Sequence, residues 1–208
     1  MAFADRLDAG RQLAARLAAY KWKKGVVVLG IPRGGVEVAY AIAKELRAEL
    51  GLVVAKKIPF PGNPELAIGA VSFGGAASMD EGFALQGGVG KDYFDDEKKR
   101  LAAEIKRRYA AYKTGFPEVK GKIAIIVDDG IATGHTVLAA VKAVRKGLPL
   151  KVVVAVPVSS VQASWLLKKE VDAFVCLAVP EFFMAVGEFY RSFPQLSDED
   201  VMEYIRKS

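Results

Sequence analysis

With 208 residues, 52% of them hydrophobic and 26% charged, the chain suits one domain with a full core, and wholesale disorder is excluded. Every long apolar stretch is broken by a charge, Gly or Pro before it reaches ~18 residues, so no membrane-spanning helix is expected. The formal net charge of +6 fits nucleic acid or a small polyanionic substrate equally, but no block of like charges or finger-type Cys/His spacing supports nucleic acid.

In chain order, residues 5–20 set Leu7, Leu13 and Leu17 with several alanines on one helical face, and Lys23-Lys24-Gly25 closes that helix. Asp5, Arg6, Asp8, Arg11 and Arg16 interrupt the same stretch, so it is not read as a signal peptide. Residues 26–29 are an apolar run of the kind buried in a parallel sheet. They lead into Gly30-Ile31-Pro32-Arg33-Gly34-Gly35 and then a helix over residues 36–50. A second apolar run, residues 52–55, ends at Lys56 and Lys57. Residues 59–91 are rich in Gly and Pro, with apolar segments at 67–73 and 82–85 that read as strands and hairpins. Residues 92–113 form an amphipathic helix carrying Phe94, Leu101, Ile105, Tyr109 and Tyr112.

From residue 122 the pattern becomes regular. Strands are predicted over 122–127, 151–156 and 173–177, and helices over 134–146 and 161–169. A last helix over 196–207 has Ser197 as its N-cap, with Asp200 three residues on. Alternating strands and helices imply βαβ units and a mostly parallel sheet with helices on both faces. The single cysteine, Cys176, can form no internal disulfide, which points to a reducing cytoplasm.

Ligands of an open parallel sheet bind beyond the carboxyl ends of its strands, and two predicted loops lie there. In the first, a buried strand delivers Asp128 and Asp129 into Gly130-Ile131-Ala132-Thr133-Gly134-His135-Thr136 at the start of a helix. The small residues allow close backbone approach, the threonines add hydroxyls, and the free N–H groups of the helix start favour an anion. Carboxylates repel phosphate, so the two acids must address hydroxyls or a metal. A sugar phosphate satisfies both demands. The second loop is Arg33-Gly34-Gly35, where a guanidinium fork and turned amides suit phosphate oxygens. Strand alternation points one of Lys56 and Lys57 toward the cleft without saying which.

At residues 127–136 the sequence resembles the type I phosphoribosyltransferases, whose signature is an apolar strand, two acids and a Thr-Gly-x-Thr phosphate loop. Most closely it resembles bacterial members of this family whose acceptor is not established. The resemblance implies the type I fold as a single domain, with an insert over about 59–118 and a small hood over about 179–195. It implies that Asp128 and Asp129 hold ribose hydroxyls, directly or through water on Mg²⁺, and that residues 132–136 hold a 5′-phosphate. Arg33-Gly34-Gly35 then serves as the pyrophosphate loop, and a basic residue at 56 or 57 stands near the diphosphate. His135 occupies a variable position that faces solvent or phosphate. In the hood, Phe182 or Phe183 would stack on a planar acceptor unless both pack in the core, and Glu188 and Arg191 are weaker candidates for metal or diphosphate contact. Where other members carry a catalytic flexible loop, this chain has Gly-rich turns and a charged helix, so loop closure does not carry over.

The expected activity is therefore Mg²⁺-dependent phosphoribosyl transfer from phosphoribosyl pyrophosphate to an unidentified base. A non-catalytic protein that binds the same donor to regulate another molecule would keep both loops, and a ribose phosphate hydrolase or phosphorylase could use the same scaffold. Members of the family often form dimers.

Overall fold

The computed structural model describes residues 2–208, apart from the side chains of residues 64 and 65. Its centre is a five-stranded parallel sheet in the order β2-β1-β6-β7-β8. The strands are β1 (Val26–Gly30), β2 (Glu49–Leu52), β6 (Ile123–Val127), β7 (Lys151–Val158) and β8 (Ala173–Ala178). Between β2 and β6 the chain builds a second, antiparallel sheet of β3 (Ala55–Phe60), β4 (Asn63–Ser72) and β5 (Ala77–Met79), then helices α3 (Glu81–Gln86) and α4 (Lys91–Ala111).

Period-two alternation sorts the central strands onto two faces. Val27, Leu29, Ala124, Ile126, Val152 and Val154 pack with α5 (His135–Lys146) and α6 (Val161–Lys168). Val26, Val28, Ile125, Val127 and Val153 face the other way, onto α1 (Arg6–Arg16) and α2 (Gly34–Leu46). Both faces are covered, so these strands read as continuous apolar runs. Each fully buried Ile or Leu among them contributes about 1.5–3 kcal/mol. No helix among the described residues is long and apolar enough to cross a membrane.

Three sequence expectations change here. The helix after β1 stops at Leu46 because Arg47 takes a left-handed φ of 56°, and Glu49–Leu52 pairs with β1 as a strand. Lys56 and Lys57 consequently lie in β3 of the small sheet, not at the end of a central strand. Residues 82–85 are helical rather than extended, because the Asp80 carboxylate accepts the Phe83 N–H (3.0 Å) and caps α3. The predicted cap of α7 (Asp198–Arg206) is present, with Ser197 and Asp200 bonded reciprocally.

Candidate active site

The order of the central sheet reverses between β1 and β6, whose successors run outward in opposite directions. Gly30 and Val127, their last residues, are in register. The loops that follow therefore leave side by side at the switch point, where doubly wound sheets place their ligands. Together they border a cleft of about 320 Å³. Arg33 and Gly34 line one side, Asp128 to Gly134 and Thr136 the floor, and Lys57 of β3 and Val186 of the hood complete it. A wider groove of about 790 Å³ between α5 and the small sheet holds several lysines but neither of the two acids.

The small residues have specific work. Gly134 caps α5 at φ 87°, a left-handed conformation that a side chain would strain. A Cβ on Gly35 would lie 2.7 Å from the Val127 carbonyl oxygen and 2.8 Å from the Asp128 Cα, and one on Gly34 would fall on the Asp129 carboxylate. The glycine pair thus lets the start of α2 close on the acid pair. Gly130 gives the same room to Val186. The floor loop is also tied from beneath. The Ile131 N–H donates to the Val158 carbonyl (2.9 Å), the Ser160 N–H to the Ile131 carbonyl (2.9 Å), and the Ser160 hydroxyl to the Ala132 carbonyl (2.5 Å).

The two acids differ in surroundings. Asp128 accepts the N–H of Asp129 (2.9 Å) and faces the cation of Lys57 across the cleft. Burial first, and the neighbouring Asp129 second, push its carboxyl well above the usual range. Asp129 is ion-paired with Arg6, whose Nε donates to Oδ2 at 2.8 Å. Burial raises its pKa as well, against the opposing pull of that guanidinium. The Tyr190 hydroxyl donates to the Asp129 carbonyl (2.5 Å), and burial raises the pKa of this phenol.

Several expected residues stand elsewhere. Lys56 is salt-bridged to Glu104 of α4, so Lys57 is the lysine at the cleft. The His135 ring turns from the loop of residues 128–134 toward the small sheet, with Nδ1 2.9 Å from the Ser78 hydroxyl and Nε2 3.7 Å from the Asp80 carboxylate. The ring stays partly exposed in a groove shared with Thr133, and α5 presents it to β5. Phe182 is 89% exposed, and Phe183 stacks on Phe189 at 5.4 Å. The hood turn Val186–Phe189 brings aliphatic Val186 to the cleft instead of either ring. Arg191 is exposed and uses its backbone N–H on the Phe3 carbonyl (2.8 Å), while the Glu188 carboxylate accepts the Ala185 N–H (3.4 Å).

Arg6, Ser160 and Val186 are site residues that the sequence alone does not reveal. For Arg6 a signal exists: it shares the buried stripe of α1 with Ala9, Leu13 and Ala14. A cation in phase with an apolar stripe needs a buried partner.

Comparison with known proteins gives one consistent result. The family described as "Phosphoribosyl transferase domain" matches residues 3–191. The Mycobacterium tuberculosis protein named "Putative phosphoribosyl transferase Rv0571c" is 41% identical over 208 residues, 99% of this chain but 47% of its own length. The chain thus spans about half the length of the curated relatives it matches. Among solved structures, TT1426 from Thermus thermophilus is similar over 100% of this chain and 99% of its own, at 40% identity and a TM-score of 0.83. A purine phosphoribosyltransferase from Pyrococcus horikoshii shares the fold at 18% identity, with a TM-score of 0.50 over 92% of this chain and 93% of its own.

Proposed function

The chain belongs to the phosphoribosyl transferase domain family, and from that premise we propose that it transfers a 5-phosphoribosyl group from phosphoribosyl pyrophosphate to a nitrogen of a base, releasing pyrophosphate. The observation that carries the proposal is the meeting of both loops in one cleft at the β1/β6 switch point. An anion cradle, a pair of carboxylates and an arginine-bearing loop lie in sequence there, matching the order of phosphate, ribose and diphosphate along the donor.

In this reading the backbone of residues 132–136 and the hydroxyls of Thr133 and Thr136 receive the 5′-phosphate, aided by the helix start. Asp128 and Asp129 address the ribose hydroxyls. Arg33, Lys57 and the amides of Gly34 and Gly35 take the diphosphate. As the bond from the anomeric carbon to the diphosphate breaks, positive charge develops on the sugar and negative charge on the leaving group. Donors fixed before the reaction stabilise that separation without reorganising. The acceptor nitrogen then forms the new bond at the anomeric carbon and loses its proton.

The acid pair also fits Mg²⁺. No group of three or more His, Cys, Asp or Glu side chains gathers among the described residues, so the protein offers no complete cage. Mg²⁺ is commonly held by one or two carboxylates plus substrate phosphates and water, and Asp128 and Asp129 both border the cleft. Asp128 and Asp129 would hold the ion, and when bound it would draw charge from the departing diphosphate.

The test is pyrophosphate release from the donor with Mg²⁺ and a panel of purines, pyrimidines and orotate. The double variant Asp128→Asn/Asp129→Asn is expected to lose at least about a hundredfold in turnover while keeping its fold. Turnover equal to that of the unaltered protein would sink the mechanism. Tight donor binding without turnover of any base would assign the cleft to a regulatory role.

A further inference from the structure

Arg6 begins α1, far in sequence from both loops, yet its guanidinium is only 5% exposed. Four contacts hold it. Its Nε donates to Asp129 Oδ2 (2.8 Å) and its Nη1 to the Pro194 carbonyl (2.8 Å). The guanidinium lies over the Phe193 ring at 3.8 Å, and Glu37 Oε2 is 3.8 Å from Nη1. Glu37 is itself oriented by the Tyr204 hydroxyl, which donates to its other oxygen at 2.8 Å. Arg6 is thereby held from α2, the hood and the loop after β6, with α7 acting through Glu37, and it does not line the cleft.

The carboxylate that Arg6 grips rests against Gly34, and a Cβ on Gly34 would also come within 2.9 Å of Arg6 Nε. Arg6, Asp129 and the loop after β1 therefore form one packed unit. Asp128 lies beside it, where a Cβ on Gly35 would come within 2.9 Å of its Oδ1, and it lines the cleft with Asp129 and Lys57. Adjacent carboxylates repel one another, and without a buried cation Asp129 would be driven toward water or would take up a proton.

We propose that Arg6 is a positioning residue of this site: it fixes the Asp129 carboxylate against the loop of Arg33 and Gly34, so that Asp129 sets the spacing between the two loops and is held in place where both acids border the cleft. The proposal rests on the donor cleft described above and adds to it a residue that never touches substrate.

The experiment is calorimetric binding of phosphoribosyl pyrophosphate, at fixed Mg²⁺, to the unaltered chain, Arg6→Gln, Asp129→Asn and the double variant. A positioning role predicts that each single change weakens binding by about tenfold or more, since either breaks a buried charge pair. It also predicts that Arg6→Gln adds no more than about twofold once Asp129 is already Asn. Arg6→Lys should recover part of the loss, because an ammonium can meet Asp129 but cannot also stack on Phe193. A merely structural role moves the melting temperature of the double variant without this coupling. Should Arg6→Gln fail to fold, comparing the double variant with Asp129→Asn decides alone: equal affinity supports the proposal, and a further large loss overturns it. Independent, multiplicative losses, or an Arg6→Gln protein that binds like the parent, would likewise overturn it. Crystals of Arg6→Lys, or of Arg6→Gln if it folds, give a readout independent of the donor. An Asp129 carboxylate displaced from Gly34 supports the inference, and one left in place refutes it. If the parent does not bind the donor at all, the proposed function fails and those crystals still decide the role of Arg6.

Discussion

His135 is the only histidine of the chain, and it sits between Thr133 and Thr136 while its ring turns to the small sheet. A neutral ring protonated on Nε2 satisfies both neighbours, accepting the Ser78 hydroxyl at Nδ1 and facing the Asp80 carboxylate with Nε2. Burial holds its pKa below the usual histidine value of 6.5, against the opposite pull of Asp80 and with that of Lys142. The unfolded chain therefore binds this proton more readily than the folded one. The stability involved is complete above pH 6.5 and is lost as the pH falls through the depressed folded value. Between about pH 7.5 and 5.5 the unaltered protein should lose more melting temperature than His135→Gln. Asp128 titrates with the opposite sign but is common to both proteins, so it cancels in the difference. Equal losses would show that the ring carries no such stability. At this scale the sequence is legible where a motif is local. Residues 128–136 can be read because acid pair, small residues and threonines are neighbours in the chain. Arg6 can be read only as a buried cation on the α1 stripe, since its partner Asp129 is 123 positions away.

Among elements, the join between α4 and the central sheet depends on one hydroxyl. Tyr109 accepts the Val54 N–H (3.0 Å) and donates to the Leu52 carbonyl (3.3 Å), where the chain leaves the central sheet for the small one. Burial pushes this phenol up to about 12, consistent with a group that stays protonated as a donor. Tyr109→Phe keeps the ring but strands a buried amide and a buried carbonyl. The expected cost is about 1–3 kcal/mol, or a fall of about 2–4 °C in melting temperature for each kcal/mol. Calorimetric unfolding checks it, and an unchanged transition would mean that water replaces the hydroxyl. The elements that differ from expectation lie on either side of this join. The pattern over 36–50 is helical until Arg47, whose left-handed turn depends on the strand that follows it. The strand at Ala55–Phe60 belongs to the small sheet, and the sequence misleads there because an apolar run does not name its pairing partner. From β6 onward each strand and helix is strongly patterned, and there sequence and structure agree closely.

For the whole molecule, the cleft lies between a rigid parallel sheet and an attached lobe. Gly130, Thr133 and Gly134 belong to the first, while Lys57 belongs to the second. A ligand that bridges them should tie both into one cooperative unit. With phosphoribosyl pyrophosphate and Mg²⁺ at about a hundred times Kd, linkage gives about 2.7 kcal/mol of added stability. For a chain of this length that is a rise of about 5–11 °C in melting temperature. A scanning measurement that shows no rise would remove the donor from the cleft. The acceptor pocket stays illegible at this scale. Aromatic residues in the hood suggest stacking, but the wall that reaches the cleft is Val186, selected by the room above Gly130.

Residues 3–6 are woven into the segment 189–194: the Phe3 N–H donates to the Phe189 carbonyl (2.8 Å), the Phe3 carbonyl accepts the Arg191 N–H (2.8 Å), and Arg6 reaches Pro194 across 188 positions. Domains generally fold as units as they emerge during synthesis, and contacts between distant residues form late because their loop entropy must first be overcome. A ribosome that has delivered β6 and α5 has already made the loop of residues 128–136. The guanidinium that steadies Asp129 must still wait for residues 186–194. The two loops are thus made before the residues that complete their support.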